Sequence, residues 1–416
     1  MAVERLGSIL KHLAPGNGLS QITSKNADDI VITFAARTPL TKARKGGFKD
    51  TSLEYLVYAI LKEVNERSKL DPALVEDFAL GNVSDGKAAY KLRAAALAAG
   101  YPNTASAYSL NRFCSSGLKA VADIANSIAT GSIQIGVAVG AETMSIGGDA
   151  LEKPFDEDVT KNSQESVDCM QPMGWTSENV SADFNITREE MDKYAAESFQ
   201  RAEKAQKAGL FDEEIVPITT KVKDADGNFK QITVTKDDGI RPGTTAQGLG
   251  KIRAAFPQWG NGATTGGNAS QVTDGAAAVL LMKRSTAIKL GQPILAKYVG
   301  STTAGLAPRI MGIGPTVAIP KLLAQHNISL SDVDVIEINE AFASMAVYCR
   351  DKLGLDWTKM NPRGGAIALG HPLGATGARQ IVTGLAECRR QGKKILLTSM
   401  CIGTGMGMAG LFVNEQ

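Results

Sequence analysis

Five short stretches of the chain carry residue types from which a covalent active site can be built. Asn111-Arg112-Phe113-Cys114-Ser115-Ser116-Gly117 places a thiol just ahead of an amphipathic helix. The positive end of a helix dipole and the unpaired N–H groups of a first turn favour the thiolate, and the thiolate is the nucleophile. Taken alone, the same context fits a buried structural cysteine equally well. The run from Gly364 to Gly377 sets His371 among five glycines. Little side-chain volume surrounds such a ring and the backbone can approach a ligand closely, which favours a catalytic imidazole over a packed one. The glycine spacing does not suit a phosphate loop, and no Lys-Ser/Thr follows. Ser399-Met400-Cys401-Ile402-Gly403-Thr404-Gly405 puts a second thiol where a strand breaks into a glycine turn. Backbone N–H groups there can form an oxyanion site, though a tight turn with a passive thiol has the same pattern. Asn339-Glu340-Ala341-Phe342 follows a strand over 333–338, at the strand-to-helix turn where α/β folds place sites. Glu340 equally fits a carboxylate that stabilises the start of the next helix. Gly267-Asn268-Ala269-Ser270 says only that the chain turns.

The elements that must position these groups alternate in type. A strand opens the body at 30–34. Helices are expected at 52–66 and 86–100, and a buried strand at 133–139. From about 149 to 254 the chain turns polar, with helical patches near 188–209 and a Lys/Asp/Thr-rich stretch at 220–240. This stretch is expected to lie outside the main core. An apolar strand returns at 275–283, and α/β alternation then runs to the end. A weak internal repeat is visible. Cys114 and His371 each sit in a turn that leads into an amphipathic helix, a terminal glycine (Gly131, Gly392) and a strand.

Composition narrows the class. A chain of 416 residues predicts two or three domains. The net charge of +2, with acids and bases mixed, gives no argument for nucleic acid or a membrane surface. No apolar run is long enough to span a bilayer. The five cysteines lack C-x-x-C spacing, a reduced, intracellular pattern. With only His12, His326 and His371, the chain offers no clustered ligands for a metal and very few candidates for an imidazole base.

Taken in order, these stretches resemble the thiolase family from about Ile30 to the C-terminus, together with Gly140-Ala141-Glu142-Thr143-Met144-Ser145 and Met173-Gly174. The resemblance implies an α/β thiolase fold: two duplicated core halves in a layered αβαβα arrangement, plus an inserted loop domain over a coenzyme A site. The implied division is 30–148 (completed by about 255–286), 149–254 and 287–416. It further implies that Cys114 is acylated, that His371 takes its proton, and that Cys401 serves as acid and base. Asn339 would hold a water, and the N–H groups of Cys114 and Gly403 would form an oxyanion hole. Ser270, Arg253, Met173, Phe342 and Gly266 would line the coenzyme A channel. No resident cofactor or metal is implied; coenzyme A enters as co-substrate beside a 3-ketoacyl-CoA, and a homodimer is expected. Three departures stand out. Phe113 occupies the usual place of Gln, Gly266 replaces a common Ala, and Val83-Ser84-Asp85-Gly86-Lys87 lacks the usual small residues.

Pro172 ahead of Met173 resembles the degradative members of the family, whereas the biosynthetic members usually carry His there. The expected reaction is thiolysis of a 3-ketoacyl-CoA. The rival readings are a biosynthetic enzyme condensing two acetyl-CoA and an inactive lipid-transfer or scaffold member. At the N-terminus, Arg5-Leu6 and His12-Leu13, five residues apart, resemble a type 2 peroxisomal targeting signal, on a helical stripe that suits an import receptor. A Pro/Gly/Ser-rich linker over 14–29 separates this leader from the body. The alternative destination is the mitochondrion; Glu4 and the lack of repeated Arg disfavour it.

Overall fold

The computed structural model describes residues 18–147 and 155–416; the leader residues Arg5, Leu6, His12 and Leu13 lie outside that range. Along the chain run β1 (Ile30–Arg37), β2 (Thr41–Lys42), α1 (Leu53–Ser68), β3 (Asp77–Gly81), α2 (Ala88–Ala98), β4 (Ser106–Leu110), α3 (Ser116–Thr130) and β5 (Ile135–Thr143). Next come α4 (Met173–Asp183), α5 (Arg188–Lys207), the hairpin strands β6 (Ile218–Lys223) and β7 (Phe229–Val234), β8 (Thr273–Lys283) and β9 (Ala296–Gly305). The chain ends with α6 (Pro315–Gln325), β10 (Val335–Ile338), α7 (Ala343–Leu353), α8 (Thr376–Gln391), β11 (Ile395–Ile402) and β12 (Met406–Asn414).

Strand pairing shows the duplication. In the first half the order is β4-β3-β5-β8-β1, with β3 parallel to both β4 and β5, and β8 antiparallel to β5 and β1. In the second half β10 pairs parallel with β11, β12 is antiparallel to β11, and β9 is antiparallel to β12. The counterpart of β4 is a single parallel bridge between Ile336 and Met360. The two half-sheets join where Ile30–Ile32 of β1 meets Ala296–Tyr298 of β9.

Five layers follow from three apolar clusters. Leu56, Val57 and Ile60 of α1 with Leu92 of α2 cover one outer face, against Phe78, Val137 and Leu280. Ile319 and Leu322 of α6 with Ala346 and Val347 of α7 cover the other, against Ile336, Ile338 and Leu397. Between the sheets lie α3 and α8, whose Leu118, Val121, Ile381 and Leu385 pack on Ile32, Val279, Val335 and Leu396. Both central helices end as the sequence predicts, on left-handed Gly131 and Gly392.

The central helices touch at their first turns. A Cβ on Gly377 would sit 2.4 Å from the backbone nitrogen of Leu118, and one on Gly117 would sit 2.8 Å from that of Ala378. Only glycine lets the two helix starts meet, and each start carries one of the reactive turns.

The polar stretch after residue 149 is better packed than its composition suggests. Apart from the buried Asp192, its charges lie toward the open side of α5. Met191, Tyr194 and Phe199 on the other side are buried in the same cluster as Ile336 and Ile338. The Lys/Asp/Thr-rich segment forms the β6–β7 hairpin, with alternate residues Ile218, Thr220 and Val222 buried. Polar side chains on the open face hid both buried faces.

The glycine contact makes a direct prediction. Gly377→Ala destabilises the protein by about 1–3 kcal/mol through overpacking, read as a lower urea midpoint. Gly86→Ala, whose Cβ meets nothing within 4 Å, leaves the midpoint in place.

Candidate active site

Cys114 is presented by a tight turn ahead of α3. Phe113 takes a left-handed backbone, φ 47°, a conformation that costs a bulky residue about 1–3 kcal/mol. Hydrogen bonds hold it there. Its N–H donates to Asn111 Oδ1 at 2.8 Å, and its carbonyl accepts from the Ser116 N–H at 3.0 Å and the Ser116 hydroxyl at 2.6 Å. The backbone N–H groups of Gly403 and of Cys114 itself favour the thiolate at this sulfur. Burial nevertheless pushes the Cys114 thiol up to about 11, outweighing those donors, and the buried Glu142 carboxylate adds to the rise. The helix start alone predicts an activated thiolate; desolvation between two sheets overrides it.

Glu142, at the end of β5, ties the 83–84 backbone to the His371 loop. Its carboxylate accepts from the backbone N–H groups of Val83 at 3.0 Å, Ser84 at 3.2 Å and Gly374 at 3.0 Å, and from the Ser84 hydroxyl. Thus the 83–87 segment, which departs from the family pattern, is fastened to the His371 loop.

His371 is buried and held at both ring nitrogens. Nδ1 lies 2.6 Å from the Thr376 hydroxyl, and Nε2 lies 3.2 Å from the Asn339 side-chain amide nitrogen. Its backbone N–H donates to the carbonyl of Gln271 at 3.0 Å. Burial, with a smaller push from Arg379, lowers its pKa to about 3. The ring is therefore neutral at physiological pH.

Asn339 follows β10, and its Oδ1 is buried without a protein partner. Neighbouring Glu340 does not cap α7. Its carboxylate accepts from Tyr194 at 3.0 Å, Ser198 at 2.6 Å, Asn361 at 2.8 Å and the Ile367 N–H at 3.2 Å. It therefore anchors α5 and the short helix Ala366–Leu369 that delivers His371.

Cys401 lies near the end of β11, fully buried, with its sulfur 3.5 Å from the sulfur of Met345. Burial, then the neighbouring Cys114 and Cys349, raise its pKa well above the usual thiol range. Met311, Ala341 and Met345 surround it, with Met173 and Phe342 packed at the edge. Gly403 touches both sides of the centre. The atoms nearest its absent Cβ belong to Phe113, at 3.6 Å, and Met173, at 3.9 Å.

The other sequence candidates take two kinds of place. Ser270 is half-buried beside this cluster, its N–H donating to the Ala341 carbonyl at 2.9 Å, and Ala269 bridges to Phe342. Arg253 and Gly266 are exposed. Arg253 follows Ile252, which packs on Gly267, and the Gly266 carbonyl accepts from Arg241 at 3.4 Å. Sequence reasoning missed three positioning groups: Thr376, Glu142 and Met345. Thr376 and Glu142 stand inside motifs that drew attention, but their partners are distant in the chain. Among the described residues, no group of His, Cys, Asp or Glu is placed to hold a metal, and no helix is long and apolar enough to cross a membrane.

A duplicated five-layer α/β core with two thiols and a neutral histidine at its seam defines a class, and comparison with known proteins agrees. The family model for the thiolase N-terminal domain matches residues 30–285, and that for the C-terminal domain matches 292–414. The chain belongs to the thiolase family. Among curated relatives, the peroxisomal 3-ketoacyl-CoA thiolase of Yarrowia lipolytica is 53% identical over 99% of this chain and 100% of the relative. Among solved structures, the dimeric peroxisomal thiolase of Saccharomyces cerevisiae is 47% identical, with a TM-score of 0.87, over 95% of this chain and 100% of that one. An acetyl-CoA acetyltransferase from Bacillus anthracis is 36% identical with a TM-score of 0.84, covering 94% of this chain and 100% of its own.

The burial of His371 predicts its titration. In an NMR titration of the three histidines, one imidazole stays neutral from pH 8 down to below pH 5; Asn or Gln at 371 removes that signal. A resonance titrating near the ordinary value of about 6.5 contradicts this environment. The sign for stability follows. The unfolded chain takes up a proton below about 6.5 and the folded chain does not, so stability falls as pH drops from there toward about 3.

Proposed function

We propose that the chain cleaves 3-ketoacyl-CoA with a second coenzyme A, giving acetyl-CoA and a shortened acyl-CoA, through an acyl group carried on Cys114. The observation that carries this reading is a neutral, buried His371 fixed at both ring nitrogens by Asn339 and Thr376, in a loop whose Gly374 carbonyl packs against Gly117 of the Cys114 turn. Full-length similarity to 3-ketoacyl-CoA thiolases supports it.

The roles follow from the charge states. A thiol and an imidazole that are both neutral at rest mean that the proton moves as attack happens. Cys114 attacks the 3-keto carbon while His371 accepts its proton. The carbon–carbon bond then breaks, and the leaving fragment is the enolate of acetyl-CoA. His371 and a water held by the free Oδ1 of Asn339 receive its thioester oxygen. Cys401 keeps its proton in the resting enzyme and gives it to the enolate carbon. The resulting thiolate then takes the proton of the incoming coenzyme A thiol. That sulfur attacks the acyl carbon, held under the N–H groups of Cys114 and Gly403, and Cys114 leaves with the proton returned by His371. The atoms and protons balance without a cofactor; coenzyme A is a substrate. Met173, Phe342 and Ser270 contact the cofactor-like tail of the substrate beside Cys401, and Arg253 and Gly266 meet it at the surface.

The place of action is the peroxisome, as the names of the relatives and the Arg5-Leu6…His12-Leu13 leader both suggest, with an import receptor reading the leader. The assembly is a homodimer, in keeping with the dimeric yeast structure.

Three measurements check this. Cys114→Ala lowers kcat for thiolysis by roughly a thousandfold or more, and the native enzyme has a higher kcat/KM on a long-chain 3-ketoacyl-CoA than on acetoacetyl-CoA. Retained turnover in the variant removes the covalent mechanism, and a clear preference for acetoacetyl-CoA favours the biosynthetic reading. Residues 1–30 fused to a fluorescent reporter collect in peroxisomes; a cytosolic or mitochondrial signal overturns the address.

A further inference from the structure

We infer that the Phe113 side chain shields the acyl-Cys114 thioester from water, so that the acyl group waits for a thiol rather than being lost by hydrolysis. This rests on the proposed acyl-Cys114 reaction and adds a selectivity to it.

The placement is specific. Phe113 directly precedes the nucleophile in a left-handed turn locked by Asn111 and Ser116. Its ring packs beside the central cluster that contains Leu118, Met400 and Ile402. It also lies on the bare Cα face of Gly403, 3.6 Å from where a Cβ would stand. The N–H of Gly403 is one of the two groups proposed above to hold the acyl oxygen. Phe113 and Met173 supply the atoms nearest that face of Gly403, so the donor peptide is flanked by an aromatic ring and a thioether, neither of which binds water well. A carboxamide in the place of this ring can hold a water there by hydrogen bonds.

The competing reaction is simple. Water oxygen bonds to the acyl carbon, the carbon–sulfur bond breaks, a carboxylic acid leaves, and the remaining proton returns to the Cys114 sulfur. The same donors that speed attack by coenzyme A speed attack by water. Discrimination must therefore come from what reaches the acyl carbon, and an apolar neighbour of the oxyanion donors excludes water there.

The test uses the full-length enzyme acylated with hexanoyl-CoA, freed of coenzyme A by gel filtration and followed by intact-protein mass spectrometry. The native adduct decays slowly. Phe113→Gln decays roughly tenfold faster, a change of about 1.4 kcal/mol in barrier, and Phe113→Leu decays at close to the native rate. Phe113→Asn is the second polar variant, since Asn tolerates a positive φ, and it decays as fast as Phe113→Gln. Equal decay in native and both polar variants overturns the proposal, as does fast decay in Phe113→Leu. An adduct that fails to form on the native chain, or that persists in Cys114→Ala, overturns the acyl-Cys114 reading instead.

Discussion

The close approach of two helix starts at Gly117 and Gly377 is the contact on which the rest of the structure depends. Two α/β halves of the same topology can share a central layer only if α3 and α8 meet without side chains between them. The contact extends beyond that pair. Cβ atoms on Gly117 and Gly140 would sit 2.7 Å and 2.6 Å from the Gly374 carbonyl, so glycine from three elements lets the Cys114 turn and the His371 loop share one seam. Glu142 fastens the same seam through Gly374 and the 83–84 backbone. The first half brings Cys114 and the second brings Asn339, His371 and Cys401, so neither half has a complete site.

That seam also sets the electrostatics. Groups drawn between two sheets lose water on all sides, and the neutral form of each is favoured. Cys114 and Cys401 move up, His371 moves down, and all three rest uncharged. A site of this kind avoids a standing ion pair in a dry interior, which would be costly to hold. It releases its chemistry only when a substrate carbonyl arrives and the converging N–H donors gain a negative oxygen to bind.

Much of this was legible in the residues. Cys114, His371, Cys401 and Asn339 were marked by glycine and small neighbours at turns, and the structure brings these turns into one region. The repeat of turn, helix, glycine and strand signalled the duplication, although the counterpart of β4 has shrunk to the bridge at Met360. What stayed hidden depends on tertiary contact. A helix start predicts an activated thiolate at Cys114, because dipole and N–H donors are local while desolvation comes from a second sheet distant in sequence. Glu340 looked like a helix cap, and its partners Tyr194 and Ser198 on α5 and Ile367 in the short helix before His371 come from two separate stretches. Thr376 is invisible as a partner of His371 until the short turn Leu373–Ala375 folds the chain back. The buried face of α5 was masked by the charges opposite it.

The central claim is that the seam keeps the nucleophile protonated until attack. The most direct test is the ultraviolet thiolate absorbance of the native enzyme, taken as a difference from Cys114→Ser across a pH series. The account predicts no thiolate from Cys114 through the neutral range, with ionisation only as pH nears about 11. A thiolate already present at neutral pH would contradict it.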